Sequence, residues 1–249
     1  MAENFLISDM PIRMGECGPD GKLRHHIWLD YFQHIAAIHA EQLGFGISAI
    51  RRNNLIWVLS RIKLHLDDSP RFDDILRLET YPNGTDKLFA KRQFILRSAK
   101  TGVSFGYASS FWLTLELPSF RPRPPGVSLG TDFPVNADRS DFFPQIPKLH
   151  IPDGQTEDPF TIEIGASRID LNNHLNNTCY CEFVLDWLSR KTGKIVHFRE
   201  IQINFNRAMK FGETLVVSGK LDGTHFYVEG VESAEGKNSF QAEGEYGEL

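Results

Sequence analysis

In the second half of the chain Asp170, Asn172 and His174 stand at intervals of two, followed closely by Asn176, Asn177 and Tyr180. A carboxylate, a carboxamide and an imidazole are the groups that attack of water on a carbonyl needs: a base, a donor to the oxygen and compensation for developing charge. If residues 170–174 are extended, side chains two apart fall on one side, and the three converge into one patch. Asp170 or His174 then serves as base and Asn172 donates to the carbonyl oxygen. A helix is expected directly afterwards, capped by Asn176 or Asn177, and the N–H groups and partial positive charge of its start suit an oxyanion. The competing reading is an Asx-rich turn whose side chains bond local backbone.

The elements that must position these residues form an internal repeat. Residues 26–43 place Trp28, Tyr31, Phe32, Ile35 and Ala36 on one helical face, and residues 178–188 do the same with Tyr180, Phe183, Val184, Trp187 and Leu188. Each predicted helix follows a tight polar turn, with Gly18 opposite Asp170, Asp20 opposite Asn172, Gly21 opposite Asn173 and Lys22 opposite His174. The acid and the imidazole occur in one copy only, which argues for a single active site in the second half and a pocket-shaping role for the first. Alternating runs at 55–66 and 196–205 predict strands after both helices. Pro70 to Leu76 then matches Met209 to Leu215, and further strands are expected at 87–97, 104–117, 213–221, 224–231 and 237–246.

Helix first, then antiparallel strands, is an α+β order, and a strongly apolar helix before a curved sheet suggests a sheet wrapped around a helix. Eight prolines between residues 118 and 156 exclude regular structure there and predict a linker. The expected division is residues 1–117 as an N-terminal domain, 118–156 as linker and 157–249 as the catalytic domain.

Composition narrows the function classes. A formal charge of −5 and a pI near 6.0 disfavour a general nucleic-acid or membrane-surface binder. The start of the chain does not read as a secretory signal, no stretch reaches the roughly 18 apolar residues of a membrane span, and the odd count of cysteines (Cys17, Cys179 and Cys181) suits a reducing, cytoplasmic setting. No metal-ligand spacing links these cysteines to His25, His26, His34 or His39, so neither metal nor other cofactor is expected.

The run from Asp170 to Asn177 with Tyr180 resembles the signature of plant and bacterial acyl-acyl carrier protein thioesterases. Gly44-Phe45-Gly46, Trp57 to Arg61 and Gly106 to Trp112 are also similar, so the likeness spans most of the chain. The resemblance implies a tandem (double) hotdog, each half a curved antiparallel sheet around a central helix. It also implies catalytic roles for Asp170, Asn172 and His174 in hydrolysing a fatty acyl thioester, with acyl carrier protein as partner. Acyl-coenzyme A hydrolysis and non-catalytic acyl-thioester binding are the alternatives, and a homodimer is left open. One departure stands out: where the family carries a glutamate on the strand after the helix, this chain has Ala208. On such a strand Gln202, Asn204 and Asn206 would share its face, so Asn206 is a substrate-binding candidate able to position water but not deprotonate it. Trp57 is a second candidate, for lining an acyl pocket.

Two further signals carry less. Gly102-Val103-Ser104-Phe105-Gly106 matches the nucleophile elbow of serine hydrolases in letters, but a hairpin turn before it and a strand after it do not. Arg51, Arg52, Lys91, Arg92, Arg121 and Arg123 are candidates for a docking surface for an acidic carrier protein, beside the default of solvated charge.

Overall fold

A computed structural model describes residues 4–129, 133–150 and 156–248. The chain divides into two compact units, one of Met1–Arg24 and Asp30–Ile146, the other of His25–Leu29 and Pro147–Leu249.

The first unit contains β1 (Leu6–Pro11), α1 (His25–Gln42, whose first turn is counted with the second unit), α2 (Ile47–Arg52), β2 (Leu55–Leu66), β3 (Ile75–Asp86), β4 (Phe89–Ser98), β5 (Ser104–Glu116), β6 (Arg121–Arg123) and α3 (Pro125–Leu129). Its strands run β1-β3-β4-β5-β2, with β6 added beside β5. All of the pairings are antiparallel. The second unit contains β7 (Glu157–Glu163), α4 (Asn177–Thr192), β8 (Val196–Phe205), β9 (Thr214–Asp222), β10 (His225–Glu232) and β11 (Asn238–Glu248). Its order, β7-β9-β10-β11-β8, is the same permutation: first, third, fourth, fifth, second.

The helices form where the apolar spacing predicts. In α1 the buried side chains include Trp28, Tyr31, Phe32, Ile35 and Ala36, and Phe32 stacks on Phe94 of β4 with centroids 4.5 Å apart. In α4 Cys179, Tyr180, Cys181, Phe183, Val184, Trp187 and Leu188 are all buried, more than one stripe of a helix. Tyr180 meets Phe205 and Phe240 edge-on at 5.5 and 5.2 Å. Trp187 lies against Gly219 on β9, where a Cβ would stand 2.9 Å from the indole. Gly193, at φ +70°, ends α4 by donating its N–H to the Ser189 carbonyl at 2.9 Å.

The repeat reaches into backbone detail. Gly18 N donates to Lys22 O at 2.8 Å, as Asp170 N does to His174 O. Gly21 N to Gly18 O corresponds to Asn173 N to Asp170 O, both 3.0 Å, and Leu23 N to Pro70 O (2.9 Å) to Leu175 N to Met209 O (2.8 Å). The left-handed residue of each turn is Gly21 (φ +76°) or Asn173 (φ +61°), two residue types that accept that conformation.

Three expectations need correction. Residues 170–174 are not extended; they form this closed turn. The strand after α4 ends at Phe205, so Asn206 and Ala208 lie beyond it rather than on a face with Gln202 and Asn204. The proline-rich segment 118–156 is not free of regular structure: its described residues include β6 and α3. Pro122 tolerates the short strand paired with β5, and Pro125 opens α3, where its missing N–H costs nothing. Residues 130–132 and 151–155 of that segment lie outside the described residues. The other strands given bounds fall within two residues of them, β3 is the further strand that the Pro70 to Leu76 signature announces without bounds, and β1, α2 and β7 had no signal in the reading above.

Candidate active site

The turn at 170–175 is held on three sides. Its own Asp170 N to His174 O bond closes it, Asn176 N donates to Arg168 O at 2.9 Å, and Leu175 N donates to Met209 O at 2.8 Å. This last bond lays the turn along the loop containing Ala208. That loop is itself fixed by Ser239, whose carbonyl accepts from the N–H groups of Asn206 and Arg207 and whose hydroxyl donates to Arg207 O at 2.8 Å.

The turn places Asp170 and His174 opposite one another, both half-buried, with Asn172 exposed at the tip. Asp170 Oδ1 accepts from the backbone N–H of Asn172 at 2.8 Å and more weakly from that of His174 at 3.4 Å. This much is the Asx-turn reading. Yet Asp170 Oδ2, the Asn172 carboxamide and the His174 ring form no hydrogen bond among the described residues. In the first unit the equivalent Lys22 is instead committed to Asp68 at 2.6 Å. One half of the repeat uses this position for structure, and the other leaves polar atoms available.

Asn176 is the cap of α4: its Oδ1 accepts from Thr178 N at 3.0 Å and from the Thr178 hydroxyl at 3.1 Å. The cap therefore engages Thr178 N–H, which removes one donor from those expected to face an oxyanion. Below it Tyr180 is buried, with its hydroxyl accepting from Ser239 at 3.4 Å, and burial raises its pKa.

Residues 206–212 of this loop contain no carboxylate. Ala208 is exposed. The carboxylate further along the loop, Glu213, is held bidentately by Arg207 at 2.8 and 3.0 Å and also accepts from Lys210 N. The hydrogen bond from Arg207 lowers its pKa, which marks a structural anion. Gln202 and Asn204 are buried, and both donate to Pro147 O, at 2.7 and 3.5 Å. Asn206 is exposed and donates to Asn238 at 2.7 Å, in the wall of an open cleft of about 380 Å3 lined also by Lys148, Leu149, His150 and Gln241. Trp57 lies in the first unit on β2, its indole N–H donated to Phe45 O at 2.8 Å.

The remaining signals fall out as structure. Ser104 opens β5 after a hairpin turn from β4, so no elbow exists, and its hydroxyl bonds Asp67. Among the described residues no group of three or more His, Cys, Asp or Glu side chains is arranged to hold a metal. His39 is buried against Arg92 at 3.1 Å, and His25 Nε2 lies 2.7 Å from His197 Nδ1. Cys179 and Cys181 are buried thiols whose pKa values burial raises, that of Cys179 to about 11, which makes them inert.

Residues 4–123 match the family model of the acyl-ACP thioesterase N-terminal domain, and residues 155–247 match that of the C-terminal domain. The chain belongs to the acyl-ACP thioesterase family. It is 24% identical over 212 residues to oleoyl-acyl carrier protein thioesterase 1, chloroplastic, of Arabidopsis thaliana, covering 77% of this chain and 56% of that protein. Over 210 residues it is 23% identical to the dodecanoyl-[acyl-carrier-protein] hydrolase of Cinnamomum camphora, covering 79% of this chain and 54% of the other. The chain thus spans about half the length of these curated relatives. Among solved structures, the 12:0-ACP thioesterase of Umbellularia californica superposes with a TM-score of 0.85 at 19% identity, covering 100% of this chain and 99% of that one. An acyl-ACP thioesterase of Bacteroides thetaiotaomicron gives 0.82 at 22% identity, with 98% of both chains covered. These likenesses fix the fold. The C-terminal domain of the family includes both the Asp170 turn and the loop with Ala208.

Proposed function

We propose that this acyl-ACP thioesterase family member hydrolyses fatty acyl-acyl carrier protein to free fatty acid and carrier protein, using the turn before α4 as its active site. Each unit is read as one hotdog, a reading supported by the shared strand order and by the burial of α4 on most of its circumference. In the reaction water adds to the thioester carbonyl carbon, the oxyanion collapses, the carbon–sulfur bond breaks and the leaving thiolate takes up a proton. Asp170 Oδ2 or the His174 ring removes the proton from water, and the Asn172 carboxamide donates to the carbonyl oxygen. One observation carries the proposal: the turn is closed by its own backbone bonds and tied to Arg168 and Met209 while these three side-chain functions are left uncommitted among the described residues. Hydrolysis of acyl-coenzyme A differs only in the carrier of the thiol and is separated by comparing the two thioesters at equal concentration.

A second reading, acyl-thioester binding without turnover, is favoured by the exposed Ala208 and by the commitment of Glu213 to Arg207. Ala208→Glu places a carboxylate in the loop bonded to the turn. The proposal expects the unaltered protein to release thiol from acyl-carrier protein, and Ala208→Glu to raise kcat less than about tenfold, since Asp170 or His174 already supplies a base. Thiol release seen in the variant and undetectable in the unaltered protein would establish the binding reading instead.

A further inference from the structure

The basic residues divide sharply once their surroundings are known. Lys91 is paired with Asp141 at 2.6 Å, and Arg92 is buried, its pKa lowered to about 9 by that burial. Neither belongs to a docking surface. Arg51, Arg52 and Arg121 are exposed, and no carboxylate among the described residues forms a salt bridge with them. Arg52 acts on Glu41 only at longer range, helping to lower its pKa behind the larger effect of Ser48.

These three arginines share one end of the sheet by topology. Arg51 and Arg52 end α2, and three residues after Arg52 the first residue of β2, Leu55, pairs with Glu116 of β5, which pairs on its other side with Arg121 of β6. Leu117 N donates to Asn54 O at 2.8 Å and Phe120 N to Glu116 O at 2.7 Å, so the connections at this end of the sheet are tied together. Neighbouring strands lie about 4.8 Å apart, which puts the Arg121 backbone roughly 10 Å across the sheet from the start of β2, just after α2. Arg123, bonded to Glu116 at 2.7 Å, borders the group, and the turn between β5 and β6 exposes Phe120 at 59% and Leu117 at 39%. Exposed arginines without a salt-bridge partner among the described residues, beside an exposed aromatic on a chain of net charge −5, make a local surface rather than a general polyanion binder.

We propose that this end of the first unit, Arg51, Arg52 and Arg121 around Phe120, docks the acidic face of the protein that carries the acyl thioester. The inference rests on the function proposed above for its choice of partner. Opposite charge steers the encounter and the exposed aromatic anchors it, so the patch acts on capture of the carrier and not on the chemistry.

The test combines Arg51→Glu, Arg52→Glu and Arg121→Glu in the full chain, with Arg121→Glu alone as a milder variant. Direct binding of the unacylated holo-carrier protein is measured beside steady-state hydrolysis of one fatty acyl group on carrier protein and on coenzyme A. Expected are a rise of about tenfold or more in both Kd and KM for the carrier, a flatter salt dependence of kcat/KM, and an unchanged KM for the coenzyme A thioester. An unchanged carrier Kd, or an equal shift in KM for both thioesters, overturns the docking surface. Carrier binding that the reversal abolishes in a protein that hydrolyses neither thioester upholds the surface and refutes the proposed function.

Discussion

At Asp170 the proposed mechanism gives one side chain two roles, which truncation to alanine would remove together. Oδ1 closes the turn through the N–H groups of Asn172 and His174, while Oδ2 is available to a substrate water. The chemical types at 170, 172 and 174 were legible in the sequence, and so was their absence from the first repeat. Their arrangement was not, because period-two spacing suggested an extended segment, while the left-handed Asn173 closes a turn instead. Ala208 was identified as a departure by its place in the chain, but its exposure on a loop follows from β8 ending at Phe205. Titration behaviour also belongs to single residues. Glu16 is buried, which opposes ionisation, but hydrogen bonds from Arg13 and from the Tyr31 hydroxyl, the latter at 2.8 Å, outweigh burial and hold its pKa below the usual value. A carboxyl with a depressed folded pKa stabilises above its unfolded pKa, about 4.3, and loses that contribution as pH falls through the folded value. Tm measured against pH should therefore drop more steeply below about 4.3 in the unaltered protein than in Glu16→Gln, which should melt lower at neutral pH. Parallel curves for the two proteins would exclude this role.

Among the elements, α4 carries most of the positional burden. Asn176 secures its start, so Asn176→Ala should lower unfolding free energy by about 0.5–2 kcal/mol in urea titration. Gly219→Val inserts side-chain atoms where a Cβ alone would already stand 2.9 Å from Trp187. Overpacking of that kind, which also meets the Tyr227 carbonyl of β10 at 2.5 Å, costs about 1–3 kcal/mol, and a loss below 0.5 kcal/mol would mean that α4 and β10 crowd Gly219 less than described. Helices and long strands were legible because buried faces impose periods of 3.6 and 2 on Trp28 to Ala36 or Leu55 to Leu66. The strands β1 and β7 were not: Asp9 and Pro11 interrupt one, Glu157, Asp158 and Pro159 crowd the start of the other, and both take their stability from pairing with distant strands β3 and β9. Helix α2, of six residues, is too short for any period to register.

For the whole molecule, the repeated strand order shows one architecture used twice. The equivalent turns keep the same backbone bonds, yet the first ends in an ion pair from Lys22 and the second in the uncommitted His174. The central claim is that the second turn hydrolyses the thioester. It is tested most directly by thiol release from fatty acyl-carrier protein in the unaltered chain and in Asp170→Asn, whose Oδ1 can still accept from Asn172 N and keep the turn closed. The account predicts turnover in the first, and a kcat lower by roughly 10²–10⁴-fold in the second at unchanged Tm. Equal turnover in the two proteins would contradict it.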